Sequence, residues 1–181
     1  MGFVSGSYTK LKPVYLERIA RYRYDVFVER LGWKLQTLPG CELDQFDHED
    51  AHYLTVEQDN GEIKGCARLL PTLRPYLLSE IFSPLLGEHP APARKDVWEL
   101  SRFAALDLNA PTPCKQMNDE CAIDLLRAAM TYARSFGVTR LISVSPVGVG
   151  RLLKRGGIRY EMLTPPKILN NQKLVACSML L

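Results

Sequence analysis

The sequence predicts a single α/β (α+β) domain built on one mixed, twisted central sheet with flanking helices. Three observations predict it. Apolar residues alternate between helical and strand periods in the order helix, hairpin, strand, helix, strand, helix, strand, strand. No internal repeat or low-complexity segment breaks that order. A length of 181 residues, 46% apolar and 24% charged, suits one domain with a sizeable buried core.

The first helix is expected over residues 13–31. It opens on Pro13, carries Leu16, Ile19, Tyr22, Val26 and Phe27 at spacings of three and four, and stops at Gly32. An acidic loop follows, and then a hairpin over 52–70 whose turn is Asp59-Asn60-Gly61, residues that tolerate positive φ. A short helical segment is expected over 77–86, a Pro-rich connection after it, and a strand over 97–106. The polar stretch 109–117 leads to the strongest helix, 118–136, with Asn118 as N-cap, Ala122, Leu125, Leu126, Ala129 and Ala133 on its apolar face, and Gly137 just past its end. A strand over 138–144 comes next. Ser145-Pro146 then reads as the cap and first residue of a helix through Leu152 and Leu153, closed by Gly156-Gly157. Strands over 158–163 and 173–180 finish the chain.

Composition narrows the function classes. No apolar run approaches the roughly 20 residues that span a bilayer, and MGFVSGSYTK lacks the apolar stretch of a signal peptide, so a cytoplasmic protein is expected. Five cysteines without a C-x-x-C pair fit a reducing compartment better than a disulfide framework or metal cage. Net charge is +3 but uneven: residues 41–63 hold eight acids and no Lys or Arg, whereas 133–181 hold eight Lys or Arg and one acid, Glu161. Such asymmetry suits two sites with different ligands. Few aromatics look exposed and the net charge is small, which argues against a nucleic-acid partner.

Within the acidic loop, His48-Glu49-Asp50-Ala51-His52 satisfies H-E-x-x-H. That pattern binds zinc only on a helix, where positions i and i+4 share a face. Here His52 opens the first hairpin strand, and side chains four apart on a strand lie about 13 Å from each other. His89 sits in the Pro-rich connection and is a poor third ligand. The acids of this loop therefore need a role other than metal binding.

Arg23-x-x-x-Phe27, Trp33, Asp44-x-x-Asp47, Arg68 within CARLLPT and Glu99-x-x-Arg102 within WELSRFA stand in one order and spacing. In these eight positions, and over roughly residues 15–157, the sequence resembles the LuxI-type acyl-homoserine-lactone synthases. These bacterial enzymes make quorum-sensing signals from S-adenosylmethionine and an acylated acyl carrier protein. The resemblance implies a fold similar to that of the N-acetyltransferases, with a V-shaped cleft in a mixed sheet. It also implies two steps: the substrate amine attacks the acyl thioester, and the substrate carboxylate then displaces methylthioadenosine (MTA) to close the lactone.

The implied roles suit the residue types. S-adenosylmethionine carries a sulfonium, an ammonium, a carboxylate and an adenine. Asp44 and Asp47 offer negative charge to its cationic end, while Phe27, Trp33 and Phe103 offer apolar and cation–π faces. Arg23, Arg68 and Arg102 either bind the substrate carboxylate or hold the acidic loop by bidentate pairing. Glu99 is the candidate general base, with Arg102 beside it in the motif, and backbone N–H groups around Ser101 to Ala104 are candidates for the thioester oxyanion. On a regular strand Glu99 and Arg102 face opposite ways and would not pair; a splay or bulge of the strand is expected around Ser101 to Ala104. Ser101, Ser143 and Ser145 are assigned to the acyl pocket; family members that prefer 3-oxo chains are similar to one another in having threonine in the region of Ser143 and Ser145, which leaves the substituent open here. S-adenosylmethionine is a consumed substrate, so no cofactor or metal is expected.

Arg151, Lys154 and Arg155, at i, i+3 and i+4 of a predicted helix, are the candidate dock for an acidic carrier protein. The alternative is an N-acyltransferase that takes its acyl group from coenzyme A. Those enzymes are similar to one another in a glycine-containing turn that cradles pyrophosphate. The matching connection here, DLNAPTPCKQMND, has no glycine.

Overall fold

In the computed structural model, which describes residues 2–109, 119–169 and 171–181, the helix expected over 13–31 forms in two parts. Helix α1 (Pro13–Arg23) has Pro13 in its first turn, where a missing N–H costs nothing, and buries Ile19, Ala20, Tyr22 and Arg23. From Tyr24 to Arg30 the backbone widens into a π-helical turn, with the Leu31 N–H donating to Val26 O at 2.9 Å. The wider turn brings Val26 and Phe27 inward directly after Arg23. The apolar spacing alone does not separate the two helical forms.

The hairpin forms as expected from β2 (His52–Glu57) and β3 (Ile63–Pro71). Its turn differs in detail: Gly61 alone takes positive φ, at 84°, while the Asn60 side chain accepts the Glu62 N–H at 3.0 Å. A strand not expected from GFVSGS, β1 (Gly2–Ser7), pairs antiparallel with β2 from Gly2↔Glu57 to Ser7↔His52. Its glycines and serines hide it from propensity. In β3, a Cβ at Gly65 would lie 3.1 Å from Ala104 O and 3.2 Å from Leu125 Cδ2, so glycine there lets the neighbouring backbone approach.

The segment 77–86 is a four-residue helix, α2 (Leu77–Glu80), followed by a 3-10 turn, Ser83–Leu85. Strand β4 (Val97–Ala104) and helix α3 (Asp119–Arg134) come next. The expected N-cap Asn118 lies outside the described residues.

The reading of Ser145-Pro146 as a helix start is corrected. Strand β5 (Arg140–Pro146) keeps both residues paired, opposite Val175 and Leu174 of β8 (Gln172–Leu180). Pro146 ends the strand, where its missing N–H is tolerated. Helix α4 starts only at Val149 and runs to Arg155, with Gly156 as C-cap. Two short strands, β6 (Tyr160–Met162) and β7 (Lys167–Leu169), pair antiparallel with β8, and β7 was not expected.

The strand order is β1-β2-β3-β4-β5-β8-β6, with β7 on β8, and the β4–β5 pair is parallel. This is the mixed α/β sheet with flanking helices that the sequence predicts. By backbone contacts the chain forms two compact units, Met1–Arg68 with Arg102–Ala129, and Leu69–Ser101 with Met130–Leu181. In the first, Tyr22, Val26, Phe27, Cys66, Ala104 and Leu106 pack as one buried cluster. The Tyr22 hydroxyl ties that cluster together, donating to Lys64 O and accepting the Leu106 N–H at 3.0 Å. In the second, Leu78, Leu85, Leu141, Leu153 and Ala176 are buried core. Among the described residues no helix is long and apolar enough to cross a membrane.

Candidate functional site

Three guanidinium groups and three carboxylates form one network inside the first unit. Arg23, on the inward face of α1, donates through Nε to Glu42 at 2.5 Å and through both terminal nitrogens to Asp47 at 2.7 and 3.0 Å. Arg68 of β3 makes the same bidentate contact with Asp44, at 2.6 and 3.0 Å, and lies 2.9 Å from Asp47. Arg102 of β4 donates to both oxygens of Glu42 and, at 2.7 Å, to Asp44. The Tyr53 hydroxyl donates to Asp47 at 2.8 Å, and Asp47 also accepts the Asp44 N–H. The acidic loop 41–50 is thus tied to one helix and two strands by paired, charge-assisted bonds.

Burial separates these residues into two kinds. The side chains of Arg23, Glu42, Asp47 and Arg68 are each 2% exposed or less, whereas Asp44 keeps 20%. Burial pushes the carboxyls of Glu42 and Asp47 up, but the guanidinium groups outweigh it and hold both below the usual carboxylate range. Burial likewise pushes the Arg23 guanidinium down, and Asp47 and Glu42 reverse that. All three stay charged at neutral pH. The sequence placed Asp44 and Asp47 together at the substrate's cationic end; the structure separates them. Asp47 is enclosed and holds Arg23, Arg68 and Tyr53; both oxygens of Asp44 also accept hydrogen bonds, from Arg68, Arg102 and the Phe46 N–H, but Asp44 alone of the pair keeps appreciable exposure. Arg23 and Arg68 direct their guanidinium groups to the acids of the loop.

Phe27 is buried and stacks on Trp33 with ring centroids 4.7 Å apart; the Arg102 guanidinium carbon lies 5.8 Å from the Phe27 ring centre. The Trp33 backbone N–H donates to Phe27 O at 2.8 Å, and its half-buried indole rests on the Phe27 ring. Phe103 is also half-buried. Within the span 101–104 where a distortion of β4 was expected, Arg102 takes φ 49°. An L-residue with a Cβ rarely occupies this region, and here it breaks the strand's alternation at a residue of the network.

In the second unit the Glu99 carboxylate is buried and accepts the N–H groups of Leu78 at 2.8 Å and Leu77 at 3.0 Å, anchoring the start of α2. Ser143 and Ser145 share a face of β5 with hydroxyls 3.3 Å apart, and Ser101 is half-buried on β4. Arg151, Lys154 and Arg155 all stand exposed on α4, with Leu152 and Leu153 buried beneath them. The helix required by H-E-x-x-H is not there: His48 and Glu49 lie in a turn where His48 Nδ1 accepts the Asp50 N–H, and His52 opens β2 as expected.

The sequence reading missed Glu42 and Tyr53. Both lie in the acid-rich stretch, but Glu42 reads as one more loop acid and Tyr53 as a strand aromatic; only the fold turns them toward Arg23, Arg102 and Asp47.

The chain matches the sequence model of a family described as autoinducer synthase over residues 7–180. It is 44% identical to an acyl-homoserine-lactone synthase of Acinetobacter nosocomialis, over 97% of this chain and 92% of that one. Against a second, from Acinetobacter baumannii, identity is 41% over the same shares. Among solved structures, TofI in a ternary complex with an inhibitor and MTA superposes with a TM-score of 0.85 at 37% identity, covering 99% of this chain and 91% of TofI. MesI, a CoA-dependent acyl-homoserine lactone synthase, gives 0.82 at 28% identity, covering 98% and 88%. An N-acetyltransferase from Lactobacillus plantarum shares the fold, with a TM-score of 0.63 at 17% identity, covering 99% of this chain and 98% of that one.

Proposed function

The chain belongs to the autoinducer synthase family and is an acyl-homoserine-lactone synthase, an acyltransferase, and from that premise we propose its donor, its acceptor and the work of each residue. The acceptor is S-adenosylmethionine and the donor an acylated acyl carrier protein. The observation that carries the reading is the guanidinium–carboxylate network, which keeps one partly exposed carboxylate, Asp44, and packs its Arg102 over the Phe27 ring that in turn stacks on the Trp33 indole. A carboxylate and an aromatic face suit an organic cation.

In this scheme Asp44 receives the substrate's cationic end and Trp33 covers it, with Phe103 lining the same site. Arg23, Asp47 and Arg68 hold the loop that carries Asp44, and Phe27 supports Trp33 from beneath. The amine, once deprotonated, attacks the thioester carbon. The new C–N bond gives a tetrahedral oxyanion, which collapses as the C–S bond breaks; the proton then lost from nitrogen goes to the sulfur, and the carrier leaves as its thiol. Glu99 accepts the amine's proton through water, since both its oxygens already receive backbone N–H groups. Backbone N–H groups of β4 around Arg102, where the left-handed conformation breaks the strand, are the donors proposed for the thioester oxyanion. The substrate carboxylate then attacks its own γ-carbon, the C–S⁺ bond breaks, and MTA departs. S-adenosylmethionine is consumed, and no cofactor or metal enters either step.

The acyl chain lies against Ser101, Ser143 and Ser145. The carrier docks on Arg151, Lys154 and Arg155, whose positive charge suits an acidic partner. Both donor and acceptor place the reaction in the cytoplasm. A coenzyme A donor, the kind MesI uses, is the competing reading, and the exposed cations of α4 favour the carrier. The test is to supply one acyl group on carrier protein and on coenzyme A and compare kcat/KM. A preference for the carrier of about tenfold or more supports the proposal; equal or better use of coenzyme A overturns the donor.

A further inference from the structure

Glu42 belongs to no motif of the eight-residue pattern, yet it joins the two ends of the network. Its backbone N–H donates to Ala20 O at 3.0 Å, which pins it to α1. Its carboxylate, 1% exposed, takes Arg23 Nε on one side and Arg102 Nε and Nη2 on the other, the last at 2.9 Å. Arg102 is the residue held at φ 49°, a conformation that persists only where the surroundings over-determine it. Those surroundings are Glu42, Asp44 and the Cys66 thiol, which donates to Arg102 O at 3.1 Å.

Charge supplies the second half of the argument. Arg23, Arg68 and Arg102 stand against Glu42, Asp44 and Asp47, so the network carries no net charge. Neutralising Glu42 would leave one uncompensated guanidinium within reach of Asp44, the one carboxylate of the three with appreciable exposure. Asp44 would then face a cationic substrate from inside a cationic cluster.

We propose that Glu42 is a positioning residue for the reaction: it fixes Arg102 in its left-handed conformation and cancels its charge, so that Asp44 keeps its negative potential for the substrate cation. The proposal rests on the reading of S-adenosylmethionine as substrate.

The test compares S-adenosylmethionine, which bears a net positive charge, with MTA, which is neutral, by calorimetric titration of wild type, Glu42→Gln and Glu42→Asp. Glu42→Gln keeps the shape and removes the charge. It should weaken S-adenosylmethionine about tenfold or more and MTA by less than about twofold. A purely structural role would weaken both alike, and equal losses overturn the proposal. Glu42→Asp keeps the charge but falls one methylene short of Arg102. Its preference between the two ligands should stay within about twofold of wild type while kcat drops about tenfold. Should Glu42→Gln not fold, Glu42→Asp decides: a wild-type kcat, or a collapsed preference, overturns the proposal. Wild type that binds no S-adenosylmethionine overturns the substrate reading and this inference with it, whereas wild-type binding with equal losses overturns this inference alone.

Discussion

Asp47→Asn separates a carboxylate that touches substrate from one that holds the site together. Asp47 Oδ1 faces Arg23 Nη1, Arg68 Nη1 and the Tyr53 hydroxyl; Oδ2 faces Arg23 Nη2 and the Asp44 N–H. Every partner is a donor. An amide NH2 at either position therefore meets N–H or O–H groups that it cannot accept from, and the two buried guanidinium groups lose a counter-charge. Breaking a buried ion pair from one side costs about 3–5 kcal/mol. A domain of this size loses about 2–4 °C of Tm per kcal/mol, so a fall of roughly 6–20 °C is expected. The assay is urea denaturation of both proteins, with calorimetric Tm as a check. Were Asp47 mainly a substrate ligand, the variant would keep its stability and lose only affinity. A stability change under about 1 kcal/mol with weakened S-adenosylmethionine binding would refute the positioning role.

The remaining expectations follow from the same geometry. Asp47 and Glu42 have depressed folded-state pKa values because, against burial, the guanidinium groups favour their charged forms; the stability they contribute is full above the unfolded carboxylate range and is lost as pH falls through the folded values. Denaturation midpoints should therefore drop progressively below about pH 5, and more steeply in wild type than in Asp47→Asn. Burial pushes the Cys66 thiol up to about 12, so iodoacetamide on the native protein near pH 8 should spare Cys66 and label the half-buried Cys41, as read by peptide mass spectrometry; prompt labelling of Cys66 would contradict its packing. Arg151→Glu with Lys154→Glu should raise KM for acylated carrier protein about tenfold or more, less so in moderate salt, with S-adenosylmethionine binding unchanged. Equal losses with a small acyl-pantetheine donor would speak against docking.

The sheet's central strands and main helices were legible because their apolar periods are unambiguous: α3, β2, β3 and β4 stand where the periods put them. Elements whose residues lack such a period were not. The Gly-Ser-rich β1 and the three-residue β7 exist because β2 and β8 offer partners, which is a tertiary effect. Pro146 was read as a helix start because its local chemistry allows one, but the ladder with Leu174 takes precedence. In the network, the spacing pattern holds five of the six charged residues and says nothing of their depth. Asp44 and Asp47 look equivalent in D-x-x-D, and only the fold shows one fully buried and the other partly exposed. Glu42 stayed hidden because its partner Arg102 is 60 residues away and reaches it from a left-handed backbone conformation.

The measurement that bears most directly on the central claim is a coupled product assay. The purified protein receives acylated carrier protein and S-adenosylmethionine labelled in its aminobutyrate carbons, and MTA and labelled lactone are quantified together by mass spectrometry. The account predicts one MTA per acyl-homoserine lactone, with the label wholly in the lactone ring. Acyl transfer that leaves S-adenosylmethionine intact, or that proceeds as well on another amine, would contradict it.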